Sequence, residues 1–298
     1  MQMEGMPLAL LVNPTSAGGR ALKVLRRLER ALDEARVAFR VQRTEGIDHG
    51  VETALAAIEA GEVPVLISGD GLIGAVGGAM AGTETPMGIV PAGRGNDLAR
   101  VLGIPDDPVA AAQVLLSGET RRIDVGEANG RRFLGIATTG IDSEANRLAN
   151  ETSWLRGNLV YAYAGIRTLL GWRSARFTIR VDEERIRFTG FTVAAANSSA
   201  HGGGMLLAPD ADLGDGKFDV VTIAESGKLR MLANLPKVFK GTHVDEDEVR
   251  VIRTSHLEVS ASRPFEVYAD GEHLTDLPVR LRVLPRALSV IVPAGAEA

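Results

Sequence analysis

The chain has 298 residues, 45% of them hydrophobic, which is enough for two cored domains at roughly 100–200 residues each. It contains no cysteine, which excludes disulfides, thiolate zinc sites and cysteine nucleophiles and fits a reducing cytoplasm. A net charge of −5 argues against non-specific nucleic-acid binding, and no stretch approaches the roughly 18 apolar residues of a membrane-spanning helix.

In chain order, residues 8–12 read as an apolar first strand, entered directly from Met1-Gln2-Met3-Glu4-Gly5 without the basic leader of a signal peptide. Residues 21–34 predict a helix, because Leu22, Leu25, Leu28 and Leu32 form a stripe backed by Lys23, Arg26, Arg27 and Arg30. A second strand is expected at 39–42 and a second helix at 50–60. Residues 63–67 and 87–90 predict two more strands, each followed by a glycine-rich turn and a helix, one over 72–80 and one opening at Asp97. A helix over 108–116 completes an alternation that implies a parallel sheet with helices on both faces. From about Arg121 the texture changes. Apolar runs at 133–137, 177–181, 191–196, 218–223, 257–259 and 288–292, separated by turn residues, predict an antiparallel, sandwich-like second half, interrupted by helices at 154–170 and 228–238. The expected organisation is an α/β domain over 1–125 and a β-rich domain over 126–298, with the last strand returning to the first domain.

Two turns carry the densest chemical signal, Ser68-Gly69-Asp70-Gly71 and Pro91-Ala92-Gly93-Arg94-Gly95-Asn96-Asp97. Glycine at a strand-to-helix turn permits positive φ and close approach of a ligand. The helix start adds free N–H groups and the positive end of its dipole, which attract phosphate. Side by side at the carboxyl ends of neighbouring strands, such turns frame a phosphate-binding crevice. A third polar turn, Asn13 to Gly18, reads on its own as an ordinary helix cap through Thr15 or Ser16. Asp70 and Asp97 read on their own as Asx turns. Residues 69–74 match the dinucleotide fingerprint literally, yet Pro91-Ala92-Gly93 stands where its acidic residue belongs, and there is no P-loop. The histidines lack zinc spacing, and no G-x-S-x-G elbow occurs.

Taken in order, these blocks resemble the bacterial diacylglycerol kinase family of lipid kinases, related in architecture to NAD kinases. The similarity spans nearly the whole chain: Val12-Asn13-Pro14-Thr15-Ser16-Ala17-Gly18, Gly69-Asp70-Gly71, Pro91 to Asp97, Ile123-Asp124-Val125-Gly126, Gly202-Gly203-Gly204-Met205 with Asp215-Gly216-Lys217-Phe218-Asp219-Val220, and Asp270-Gly271-Glu272. The resemblance implies an ATP- and Mg²⁺-dependent kinase that phosphorylates a hydroxyl of diacylglycerol to give phosphatidic acid. It implies nucleotide binding by Asn13, Pro14, Thr15, Ser16, Ala17, Thr44, Ser68, Gly69, Gly71, Leu72, Gly93, Arg94 and Asn96. It implies Glu272 as general base and Asp70 as a further catalytic residue, Asp70, Asp97 and Asp124 in a magnesium network, and a structural magnesium held by the Asp215 carboxylate and the backbone carbonyls of Asp212 and Lys217. Read without it, Asp270-Gly271 is simply a hairpin turn and Asp215-Gly216 another tight turn. A kinase for a sphingoid base or NAD, and a catalytically weak or silent nucleotide- or lipid-binding regulator, stay open as alternatives.

The chain departs from the family pattern at Ser68, Leu72, Gly74 and Ala75, where glycine, threonine, asparagine and an acid are usual. Leu72 removes a hydroxyl expected near the phosphates, so Leu72→Thr is expected to raise or preserve turnover. Arg94 replaces threonine and offers a charge-assisted contact in compensation. A lipid substrate must be taken from a membrane surface. The segment from Trp154 to Trp172, with Leu155, Leu159, Tyr163, Ile166 and Leu170 and with Arg156, Arg167 and Arg173, reads as an interfacial helix or as a core helix. Residues 228–240 are a second, more basic candidate. The expectation is a cytoplasmic protein peripheral at the inner membrane face, with no nucleic-acid partner and scope for a homodimer.

Overall fold

The computed structural model describes residues 6–152 and 158–295. The chain divides into two compact units, one of Met1–Val125 with Pro285–Ala298, the other of Gly126–Leu284.

In the first unit, strands and helices alternate: β1 (Leu8–Val12), α1 (Arg20–Glu34), β2 (Phe39–Arg43), α2 (Ile47–Glu59), β3 (Val63–Ser68), α3 (Asp70–Met80), β4 (Gly88–Pro91), α4 (Asp97–Val101) and α5 (Pro108–Ser117), before β5 (Glu119–Ala128) leaves it. The strands are parallel in the order β2-β1-β3-β4. β1 and β3 are buried throughout, as parallel central strands covered on both faces must be. Ala21, Val24, Leu25, Leu28 and Leu32 recur every three or four residues along α1 and bury one face against the sheet. The fully buried Leu28 alone is worth about 1.5–3 kcal/mol. α5 starts at Pro108 because Asp107 caps it, accepting from the N–H groups of Val109 at 3.0 Å and Ala110 at 3.2 Å. Val290 bridges Met87 in parallel, so the chain's last strand adds to this unit.

The second unit is built on antiparallel pairing. Its elements are β6 (Arg131–Phe133), β7 (Ile136–Gly140), α6 (Ile141–Glu151), α7 (Asn158–Gly171), β8 (Ala175–Val181), β9 (Glu184–Ala196), β10 (Phe218–Ala224), α8 (Lys228–Lys240), β11 (Val249–Thr254), β12 (His256–Ala261), β13 (Glu266–Ala269), β14 (Glu272–Asp276) and β15 (Val279–Val292). β9 organises the sheet: its first half forms a hairpin with β8, and its second half lies between β7 and β10. Phe133 stacks on Phe218 at 5.9 Å and Phe177 on Phe265 at 5.5 Å inside one continuous apolar core.

Two expectations change. The run at 133–137 is two strands, not one, because Leu134-Gly135 turns aside to meet other groups. Trp172 is not an interfacial residue: it is 4% exposed, stacked on Phe265 at 5.7 Å with the Arg263 guanidinium over its ring at 4.9 Å. Trp154, Leu155 and Arg156 lie outside the described residues. No helix among the described residues is long and apolar enough to cross a membrane.

Candidate active site

In the first unit the register pairs Val12 with Arg43 and with Ile67, and Ser68 with Pro91. The residues that follow, Asn13, Thr44, Gly69 and Ala92, therefore emerge at one carboxyl edge of the sheet. The order β2-β1-β3-β4 reverses direction between β1 and β3, and such a switch point is where open parallel sheets bind ligands. The loops after β1 and β3 flank it.

The two glycine turns meet each other. A Cβ on Gly93 would lie 2.4 Å from the Gly69 Cα, and one on Gly69 would lie 3.0 Å from the Gly93 Cα. Neither glycine has positive φ, so their value is close approach rather than an unusual backbone conformation. Ser16 Oγ donates to the Ala92 carbonyl at 3.4 Å and ties the first loop to this pair. Asn13 Oδ1 accepts from the Thr15 N–H at 3.0 Å and the Thr15 hydroxyl at 2.8 Å, while neither Thr15 nor Gly19 makes a side-chain cap. A 3-10 turn over Ser16–Gly19, with Gly18 and Gly19 at positive φ, separates this loop from α1. The simple helix-cap reading of Thr15 or Ser16 is therefore replaced by a loop held to its neighbours.

Asn96 is buried and works on the loop itself. Its Oδ1 accepts the Gly93 N–H at 2.8 Å, and its Nδ2 donates to Asp106 at 3.2 Å. Thr44 is likewise buried, its hydroxyl on the Val12 carbonyl at 3.3 Å, and Ser68 is buried at the end of β3. Arg94 is exposed beside Gly93. At the start of α3, the first N–H to close back into the helix is that of Ile73 on the Gly69 carbonyl, which leaves the N–H groups of Asp70, Gly71 and Leu72 outside the helical ladder.

Asp70 and Asp97 come together here. Asp70 Oδ1 accepts the Leu98 N–H at 3.4 Å, and Asp97 pairs with Arg100 at 2.7 Å. Burial, followed by the neighbouring Asp97 charge, pushes the Asp70 carboxyl above its ordinary value, against the pull of backbone N–H groups at residues 96–98. A partly buried like-charge pair suits a hard divalent cation, and adjacent N–H groups outside the helical ladder suit phosphate. The residues thus fit a magnesium-bound nucleotide.

Three positions behave differently from expectation. Leu72 is 4% exposed and packs between α3 and α2, its Cδ1 in the space a Gly50 Cβ would need. It is a packing residue rather than a lost phosphate ligand, which removes the ground for expecting Leu72→Thr to help turnover. Asp124 is fully buried, with Oδ1 accepting the Arg286 N–H at 2.6 Å. The Asp215 carboxylate accepts the Lys217 N–H at 2.9 Å and binds the Arg253 guanidinium, which also holds Asp219 at 3.0 Å directly across the β10–β11 pair. Asp212 turns onto the Gly214 N–H at 2.8 Å. The Asp215 carboxylate, expected to hold a structural magnesium with the backbone carbonyls of Asp212 and Lys217, is paired here with a cation of the chain itself.

In the second unit, Glu272 opens β14 after a tight turn in which Asp270 and Gly271 have φ of 53° and 85°, the requirement of a two-residue hairpin. The Asp270 carboxylate accepts the N–H groups of Leu134 and Gly135, each at 2.9 Å. Asn197 completes the arrangement, donating its backbone N–H to the Gly135 carbonyl at 3.0 Å and Nδ2 to the Leu134 carbonyl at 2.8 Å. The turn that presents Glu272 is thus fastened to a loop whose peptide groups are all satisfied. Glu272 itself is exposed, yet surrounding protein displaces enough water to raise its carboxyl above the ordinary value. Sequence reasoning missed Asn197; no local pattern marks it, since its partners lie more than sixty residues away in the chain.

Residues 7–128 match the family model described as the diacylglycerol kinase catalytic domain, and residues 135–292 match that of the YegS C-terminal NAD kinase beta sandwich-like domain. The chain is 35% identical to a diacylglycerol kinase of Mycobacterium tuberculosis (strain H37Rv), covering 95% of this chain and 94% of that one. It is 26% identical to a diacylglycerol kinase of Bacillus subtilis (strain 168), covering 95% of each. The crystal structure of a diacylglycerol kinase from Bacillus anthracis shares the fold, with a TM-score of 0.78 at 18% identity over 99% of this chain and 100% of that one. The nucleotide-type loops, the carboxylate pair and the fastened Glu272 turn therefore sit in a member of the diacylglycerol kinase family of lipid kinases, transferases that act on an alcohol group.

Proposed function

We propose that this protein transfers the γ-phosphoryl group of ATP to a hydroxyl of diacylglycerol, giving phosphatidic acid, with Mg²⁺ as the required cation, at the cytoplasmic face of the membrane. The observation that carries the reading is the Asp70–Asp97 pair beside the glycine turns that follow β3 and β4, two carboxylates whose repulsion a divalent cation relieves. The bound Mg²⁺-nucleotide supplies the transferable phosphoryl group and the neutralisation of its charge. Asp70 and Asp97 hold the cation. The N–H groups at the start of α3 and the Asn13 to Ala17 loop receive phosphate oxygens, and Asn96 keeps the Gly93 backbone in place. Glu272 accepts the proton of the acceptor hydroxyl as its oxygen bonds to the γ-phosphorus. The bond to the bridging oxygen breaks, and ADP leaves. A raised pKa suits Glu272 to this task, since a stronger base gains more from taking the proton.

The buried position of Leu72 favours a working kinase over a silent binder, because the departure from the family pattern at that site falls on packing rather than on the phosphates. The test is transfer of labelled phosphate from Mg-ATP to diacylglycerol in mixed micelles, beside ceramide, sphingosine, monoacylglycerol and NAD. Labelled phosphatidic acid as the main product is expected. Transfer to another acceptor alone, or to none with ATP still bound, would overturn the proposal.

A further inference from the structure

The largest exposed apolar side chains of the second unit gather on two helices. On α8, Leu229, Leu232, Leu235 and Phe239 recur at three- and four-residue spacing on one face, and Leu229 is 84% exposed. On α7, Ile166 and Leu170 are 52% and 68% exposed. The Lys228 ammonium donates to the Leu170 carbonyl at 2.6 Å, which brings the end of α7 to the start of α8 and joins the two sets. An apolar patch of this kind on a protein surface marks an interaction site.

The charges around it are sorted. On the flank of α8 turned to the protein, Arg230 pairs with Glu248 at 2.7 Å, Lys237 with Glu246 at 2.5 Å, and Asn234 donates to Glu248 at 3.0 Å. Met231 and Val238 pack on the core. Beyond the apolar row, Lys240, Arg167 and Arg173 are exposed and have no carboxylate partner among the described residues. Arg230 and Lys237 are thus neutralised by carboxylates, whereas Lys240, Arg167 and Arg173 are not and lie beside the apolar face, in a chain whose net charge is −5.

We infer that the outer face of α8, with Ile166 and Leu170 of α7, docks on an anionic lipid bilayer, the apolar row entering the acyl boundary and the unpaired cations meeting headgroups. An apolar row edged by Lys and Arg is the pattern of a helix that lies in the membrane interface. Charge complementarity decides for lipid: the cations without carboxylate partners beside the row match anionic headgroups, and an apolar contact with another helix would leave them unused. The inference rests on the lipid-kinase reading, and it names the surface by which the enzyme reaches its substrate.

The test uses the full chain with vesicles of phosphatidylcholine alone or with phosphatidylglycerol. The wild type is expected to sediment with the anionic vesicles. The L232Q/F239Q variant should bind them about tenfold more weakly or worse, and R167Q/K240Q at least about fivefold more weakly, with the loss growing as salt falls. All these side chains are exposed, so melting temperatures should match the wild type. Turnover on a short-chain diacylglycerol dispersed in water should be unchanged in both variants, while turnover on vesicle-embedded diacylglycerol falls. Unchanged vesicle binding in L232Q/F239Q would overturn the inference. So would a shift of the wild type from dimer to monomer in that variant without any vesicle binding, which would make the face a contact between copies. If wild-type protein binds through this face yet phosphorylates no diacylglycerol in either assay, the docking surface stands and the substrate reading fails.

Discussion

Asp70 is held in a state that costs stability. Its folded pKa lies above the ordinary value of 3.8, first through burial and then through Asp97. The native state therefore binds its proton more tightly than the unfolded state does, and stability falls as pH rises through the interval between the two values. At neutral pH the penalty is fully present. Asp70→Asn keeps the acceptor for the Leu98 N–H and removes the charge, so it should raise the melting temperature at pH 7 while lowering turnover by about 10²–10³-fold. The gain in melting temperature should vanish below about pH 3.8, where Asp70 is protonated in both states. Differential scanning calorimetry against pH reads this directly. For Glu272 the sign acts on rate: a base must be ionised, and burial raises its pKa above 4.5, so the acid limb of kcat/KM should lie above the ordinary glutamate range.

At the scale of elements, the strongest signals in the sequence were the ones that became structure with least revision. Continuous apolar runs such as Val63 to Ile67 can only be covered strands, and the α1 stripe can only be a one-sided helix, because burial on two faces or one dictates those patterns. The helix α6 escaped notice because its apolar positions are few and it begins from a cap made by Ser143 on Gly140, with polar residues through its first turn. Leu72 was misjudged for a related reason. A linear motif gives the order of residues, while the direction of a side chain at the start of α3 is set by its helical phase, which turns Leu72 onto Gly50. Leu72→Ala should accordingly destabilise by about 2–4 kcal/mol in denaturant unfolding. The contact between the turns at Gly69 and Gly93 was also invisible, since neither residue names the other. Gly93→Ala, with its Cβ 2.4 Å from the Gly69 Cα, should force the two loops apart and weaken ATP binding by tenfold or more in calorimetric titration, with the sheet intact.

Over the whole molecule, the structure separates two uses of cations. Asp97, though paired with Arg100, still repels Asp70, whereas Asp215 and Asp219 share Arg253 from within the chain. Chelation by EDTA should therefore abolish phosphoryl transfer and leave the melting temperature in place, while Arg253→Ala should lower it, because Asp219, 4% exposed at its side chain, loses the partner that offsets its burial. A fall in melting temperature on chelation would restore the metal to the Asp215 loop. The first unit carries the glycine turns and the carboxylate pair, and the second carries Glu272 on a turn fastened by Asp270 and Asn197.

The most direct measurement is therefore single-turnover transfer from Mg-ATP to diacylglycerol by the wild type and by Glu272→Gln, with ATP affinity measured alongside. Because Glu272 is exposed and the Asp270 clamp stays intact, the substituted protein should fold and bind ATP as the wild type does, while its rate falls by about 10²–10⁴-fold. An unchanged rate in Glu272→Gln would contradict the account, since the proton of the acceptor would then be leaving by a route that does not involve this carboxylate.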